Sequence, residues 1–152
     1  MKNNPSHLGR VLMTSLFCLL SFCGISIAAR ASTLEIDVSG LRNQKGQILG
    51  LLFSEGQGFP DEASHAAQSS VVTIGGDAPR LLFKDLPAGF YAVALIHDEN
   101  SNGKLDKKIF GIPKEGIGFT QNPKVRMRAP NFDETKLEVR GNLKSEIIFH
   151  YY

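Results

Sequence analysis

The chain contains no tryptophan, and its only two cysteines, Cys18 and Cys23, lie close to its start. Everything downstream of Cys23 is therefore excluded from disulfide frameworks, cysteine-bearing zinc sites and thiol chemistry. A small domain built that way must rest on packing, with a bound ion as the one available staple. Histidine is scarce too: His65, His97 and His150 lie beyond the apolar start, far apart in sequence, and none has a ligand-type neighbour at helical spacing. There is no Gly-x-Ser-x-Gly elbow and no His-Glu-x-x-His helix. Nothing supplies nucleophile, base and oxyanion donors together, so no enzyme is expected. The one candidate general base, for a hydrolase, is His97 beside Asp98. Charge excess is also missing. The net charge is +2, and setting Lys2, Arg10 and Arg30 aside from seventeen basic residues leaves fourteen against fifteen acidic ones. Apart from Lys124, Arg126 and Arg128 there is no basic stripe, which argues against a nucleic-acid partner.

The one long apolar run, Val11 to Ala28, follows Lys2 and Arg10 and precedes Ala29-Arg30-Ala31. A positive start, an apolar middle and an A-x-A end predict a signal peptide over residues 1–31, cleaved after Ala31. A retained membrane anchor is the alternative; the shortness of the strongly apolar part and the small residues after it weigh against that. Neither cysteine follows the small residue that a lipid-attachment signal requires. The expectation is a periplasmic or secreted protein with one domain over residues 32–152.

In that domain, period-two alternation dominates. Leu34, Ile36 and Val38 alternate with Glu35 and Asp37; Leu137 and Val139 alternate likewise, as do Ile147, Phe149 and Tyr151. Such alternation marks half-buried antiparallel strands. Shorter apolar runs over Gln47 to Phe53, Val71 to Ile74, Leu81 to Phe83 and Phe90 to Ile96 are bounded by Gly, Pro, Asp or Ser. They bring the count to about seven strands, as in an all-β sandwich of immunoglobulin-like or transthyretin-like kind. Gly75-Gly76-Asp77 reads as a turn, and one short helix is expected over Glu62 to Gln68 with Asp61 as its cap. Leu86-Pro87-Ala88-Gly89-Phe90-Tyr91 resembles the segment that opens a central strand in transthyretin-like and collagen-adhesin-type sandwiches. It predicts a buried Tyr91 whose hydroxyl bonds nearby backbone.

The stretch from His97 to Asp106 carries the clearest chemistry. Oxygen-bearing side chains stand at alternate positions (Asp98, Asn100, Asn102), Gly103 allows the sharp turn, and Asp106 closes the loop. Calcium takes six to eight oxygens, and alternate residues of a tight loop converge on one point. The expected ligands are the side chains of Asp98, Asn100, Asn102 and Asp106 with the main-chain carbonyl of Lys104, while Leu105 points into a core. The twelfth position of the EF-hand pattern is Ile109 instead of Glu, so the loop matches shorter calcium loops between strands. Glu99, Glu115 or Asp133 could complete the shell. With two carboxylates and two amides the affinity should be low, on the order of 10⁻⁴–10⁻³ M. The same residues also suit a metal-free hairpin turn, because Asx side chains bond their own backbone.

Residues 109–133 hold three prolines and three glycines, with Phe110, Phe119 and Phe132 among them. The three aromatics predict a long ordered loop packed down over one end of the sandwich, beside the 98–106 loop. Arg126 and Arg128 are placed there as solvated side chains or partners of nearby acids. Tyr91, Phe119, Phe132 and Tyr151-Tyr152 offer aromatic area for an extracytoplasmic glycan or protein partner, with core packing as the competing use.

Gly40 to Gln47, Gly58-Phe59-Pro60, Leu86 to Val93, His97 to Asp106 and the Phe110 to Phe119 segment occur in this order. In these motifs the chain resembles the bacterial exported proteins of domain-of-unknown-function family 2141. The resemblance covers nearly all of residues 32–152. It implies a small exported β-sandwich without an assigned activity. The expectation is a monomeric, non-enzymatic binding or structural module.

Overall fold

Alternation of apolar and polar residues builds most of this molecule. The computed structural model describes residues 31–124 and 128–152. The expected signal peptide up to Arg30, with Cys18 and Cys23, and Arg126 lie outside the described residues. Among the described residues the strands are β1 (Ser32–Ser39), β2 (Gln47–Phe53), β3 (Gln68–Thr73), β4 (Arg80–Leu86), β5 (Gly89–Asp98), β6 (Gly116–Phe119), β7 (Leu137–Val139) and β8 (Leu143–Ile148). One helical turn, α1 (Phe132–Thr135), precedes β7.

The strands form an all-β sandwich. One sheet has the order β4-β1-β8; the other runs β3-β2-β5-β6, with β7 also paired to β5. β6 pairs with the end of β5 and β7 with its beginning. Most pairs are antiparallel, but β1 and β8 run parallel from Leu34↔Leu143 to Ser39↔Ile148. Alternation defines which face a residue takes and says nothing about strand direction. Leu34, Ile36, Leu81, Phe83 and Ile147 from one sheet meet Ile48, Leu52, Val93 and Leu95 from the other in the main core. A second, smaller cluster of Ala94, Ile117 and Phe119, with Phe59 and Leu105 against it, lies on the outer face of the β5–β6 pair.

Tyr91 is buried and its hydroxyl donates to the Pro87 carbonyl at 2.9 Å, the tyrosine corner expected from the sequence. The expected helix over 62–68 is not formed. Only Ala63–His65 make a single 3-10 turn, and Gln68 to Ser70 pair with β2 instead. A short alanine-rich segment cannot offset the cost of helix nucleation when a neighbouring strand offers pairing. The 109–133 segment also departs from expectation. Its residues Gly116 to Phe119 are strand β6, and Phe110, expected to pack down, is almost wholly exposed. Asn122, just beyond β6, caps the free edge of β8: its side chain donates to the Glu146 carbonyl at 3.0 Å and accepts from the Ile148 N–H at 2.9 Å. That closes an edge on which another strand could add.

Candidate functional site

β5 ends inside the stretch that the sequence marks for cation chemistry. His97 and Asp98 are both buried, and β2 runs alongside with Gln47 opposite Asp98. The Gln47 amide donates to Asp98 Oδ2 at 2.9 Å. The loop then folds back on the same carboxylate: Gly103 N–H donates to Oδ2 at 2.7 Å and Asn102 N–H to Oδ1 at 3.0 Å. Burial opposes ionisation of Asp98, but these donors together with the Ser101 N–H outweigh it and hold the carboxyl below its usual range. Gly103 has φ +79°, as the sharp turn requires.

The remaining side chains converge. Asn100 Nδ2 lies 2.9 Å from Asp106 Oδ2, and Asn102 Nδ2 lies 3.1 Å from Asp106 Oδ1. Each amide oxygen accepts from the backbone two residues on, Asn100 Oδ1 from Asn102 N–H at 3.1 Å and Asn102 Oδ1 from Lys104 N–H at 3.0 Å. Lys104 itself is exposed. Thus both amides meet the Asp106 carboxylate through their nitrogens, with their oxygens turned to backbone N–H groups, while Asp98 is held by backbone donors and Gln47. Among the described residues no group of three or more His, Cys, Asp or Glu side chains has metal-holding geometry. Any cation here would depend on the two amides as well as the carboxylates.

Glu115 fixes the frame of this loop. It is buried, and its two oxygens accept from Glu99 N–H at 3.1 Å and Asp106 N–H at 2.9 Å, one near each end of the loop. Glu99 faces the other way, toward the β1–β2 connection. Arg42 grips it with two bonds, 2.6 and 2.8 Å, and Asn43 adds a third at 3.1 Å. The Arg42 guanidinium, against opposing burial, keeps Glu99 below the usual carboxylate range. Asp133, the third candidate from sequence, sits in α1 and pairs with Lys136 at 2.6 Å, with no contact to the loop.

His97 completes the support. Its Nε2 lies 2.8 Å from the Lys45 carbonyl, which can only accept, so Nε2 carries the proton. Nδ1, 2.7 Å from the Tyr151 hydroxyl, therefore accepts from that hydroxyl when the ring is neutral. Tyr151 in turn accepts from Arg42 N–H at 3.2 Å and lies under the Arg42 guanidinium at 4.6 Å. Both ring nitrogens of His97 are engaged and the ring is buried. Of the aromatic residues expected to offer surface, Tyr91 and Phe119 are buried, Phe132 and Tyr151 are half-buried, and Tyr152 is exposed. Arg128 holds Glu134 with two bonds of 2.8 Å.

Gln47, Arg42 and Gly46 were given no site role by sequence reasoning, and Tyr151 only one as aromatic surface, so none of the four was placed at the loop. Three of the four lie in Gly40 to Gln47, a segment whose motif is legible but whose partners appear only once β2 lies beside β5.

A family model described as an uncharacterized protein conserved in bacteria, DUF2141, matches residues 36–147. No curated protein and no solved structure matches the chain.

Proposed function

The chain belongs to the bacterial DUF2141 family of uncharacterized proteins, and from that premise we propose that it is an exported, non-catalytic β-sandwich module whose 98–106 loop takes up calcium. The observation that carries this reading is that the side-chain amides of both Asn100 and Asn102 meet the Asp106 carboxylate, at 2.9 and 3.1 Å. Asp98, Asn100, Asn102 and Asp106 would supply side-chain oxygens and Lys104 a main-chain carbonyl. Charge supports it as well. Asp98, Asp106 and Glu115 stand close together in the hydrogen-bond network and, among the described residues, none is in an ion pair with a cation. A divalent ion would relieve that imbalance and tie the loop ends together. The engagement of both His97 nitrogens supports a non-catalytic role.

Binding should appear as stability. At free calcium ten times the dissociation constant, the gain is about 1.4 kcal/mol. For a domain of this size that is roughly 5 °C in Tm. Thermal melts in millimolar calcium and in chelator test this, with Asp106→Ala expected to abolish the difference. Coincident melts would reject calcium. They would favour the second reading, a metal-free turn in a glycan- or protein-binding module, which the direct closure of the loop by its own hydrogen bonds supports.

A further inference from the structure

The 98–106 loop leads straight into a hairpin that the calcium reading leaves unused. Lys114 N–H donates to the Asp106 carbonyl at 2.9 Å, Lys107 bridges Pro113, and Lys108 N–H donates to the Ile112 carbonyl at 2.7 Å. The tip is therefore Ile109-Phe110-Gly111. It is apolar and turned outward: Ile109 is 78 %, Phe110 96 % and Ile112 46 % exposed. Phe110 also has φ +65°, a conformation that a bulky residue adopts only at a cost. Its ring gains no packing of its own in return. Backbone strain that presents an aromatic ring to solvent points to a partner outside the molecule.

The charge around the tip tells what kind. Residues 104–114 contain Lys104, Lys107, Lys108 and Lys114 against one acid, Asp106. From Ser32 onward, the rest of the chain keeps ten basic residues against fourteen acidic ones. The sandwich is thus acidic and the hairpin basic. Lys104 and Lys114 are in no ion pair among the described residues, and Lys107 has only a 3.7 Å approach to exposed Asp61. Lys108 donates to the Tyr152 main-chain oxygen at 2.6 Å. Below the hairpin runs a groove of about 560 Å³ floored by Ala94, Leu105, Ile117 and Phe119, which continues the apolar surface inward from Phe110 and Ile112.

We propose that this hairpin docks the protein onto an anionic lipid bilayer, with Ile109, Phe110 and Ile112 entering the interface and the lysines resting on the headgroups. An apolar tip inside a cationic collar matches the two layers of such a surface, hydrocarbon below and negative charge above. A neutral apolar partner would leave the lysines without a role, and a purely anionic one would leave Phe110 without one.

The chain has no tryptophan, so Phe110→Trp places a single reporter at the tip. The protein is used as the cell leaves it, since a tryptophan at this position reports the hairpin whatever the N-terminus carries. With mixed phosphatidylglycerol–phosphatidylcholine vesicles its emission should shift to the blue and be quenched by brominated acyl chains. The shift should weaken in high salt and be nearly absent on pure phosphatidylcholine. In co-sedimentation, Phe110→Ser should cost about tenfold or more in partitioning. Lys107→Gln with Lys108→Gln should cost roughly fivefold per lysine. Both sites are exposed, and superimposable melting curves establish that the fold is kept. An emission that stays water-like on anionic vesicles overturns the proposal, as does equal binding to uncharged ones. A blue shift that grows with protein concentration without lipid overturns it in favour of a second copy of the chain. None of these outcomes requires the loop to hold a cation.

Discussion

Gly46 is where the β1–β2 connection presses against the candidate site, and its replacement by alanine gives the sharpest test of that packing. Gly46 has φ +73°, and an added Cβ would fall inside the envelope of the Asp98 carbonyl oxygen and 2.8 Å from both Cα and C of Glu99. The atoms it meets are backbone, at the point where β5 passes into the loop, so no rotamer change relieves the clash. Placing a β-carbon at positive φ costs about 1 kcal/mol. Forcing backbone apart at a close contact adds about 1–3 kcal/mol. Gly76 provides the control, with φ +77° and nothing within 4 Å of its virtual Cβ. Gly76→Ala carries the conformational cost alone, and the reduced freedom of the unfolded chain is the same in both variants, so it cancels in their difference. Urea unfolding with linear extrapolation should put Gly46→Ala about 1–3 kcal/mol below Gly76→Ala, with unchanged slope. The corresponding Tm gap is roughly 4–10 °C. If the two variants unfold together, the 40–46 connection does not press on the loop and the account of its support fails.

Asn122→Ala removes both bonds that close the β8 edge, and should lower stability by about 1–2 kcal/mol with increased light scattering on concentration; an unchanged urea midpoint would show the edge needs no cap. Glu134 is held at about 2 instead of 4.5, chiefly by the Arg128 guanidinium and then by the Asn131 N–H. Because the folded value is the lower one, its contribution is present above the unfolded value near 4.5 and is lost as pH falls toward 2. A carboxyl NMR titration should find Glu134 still ionised at pH 3, and Arg128→Ala should raise its pKa only part of the way, since the Asn131 donor stays; ordinary titration in the unaltered protein would contradict the pairing.

How far the sequence carries is uneven, for physical reasons. Leu34, Ile36 and Val38 declare their strand because burial of one face imposes period two, and the Gln47 to Phe53 run declares its own as an apolar stretch bounded by turn formers. β6 escapes because Gly116 and Gly118 alternate with Ile117 and Phe119, and glycines at alternate positions read as turn material. α1 was legible and passed over: Asn131 and Glu134 form a reciprocal capping box, the spacing that opens helices. Phe110 misleads because an aromatic residue usually buries itself, and no pattern announces a positive φ. At the loop, the spacing of Asp98, Asn100, Asn102, Gly103 and Asp106 was sufficient to locate a turn closed by its own polar side chains, since those contacts are local. Gln47, Arg42 and Tyr151 could not be assigned, because each meets the loop only through pairing of distant strands.

The two proposals meet at one residue, and the geometry gives that meeting a direction. The Asp106 carboxylate faces Asn100 and Asn102, its N–H is held by Glu115, and its carbonyl receives Lys114 at the base of the hairpin. A cation drawn to the loop would settle the Asp106 backbone, and with it the base of the hairpin that carries Phe110. It would also cancel Asp106, the only negative charge among residues 104–114. Both effects favour an anionic surface: the first by fixing the tip before contact, which lowers the ordering cost of binding, and the second by raising the local positive charge. β5 makes this possible. It gives its inner face to the core, its outer face to the groove and its end to the loop, so one strand, itself paired to β2, β6 and β7, underlies every part of the candidate surface.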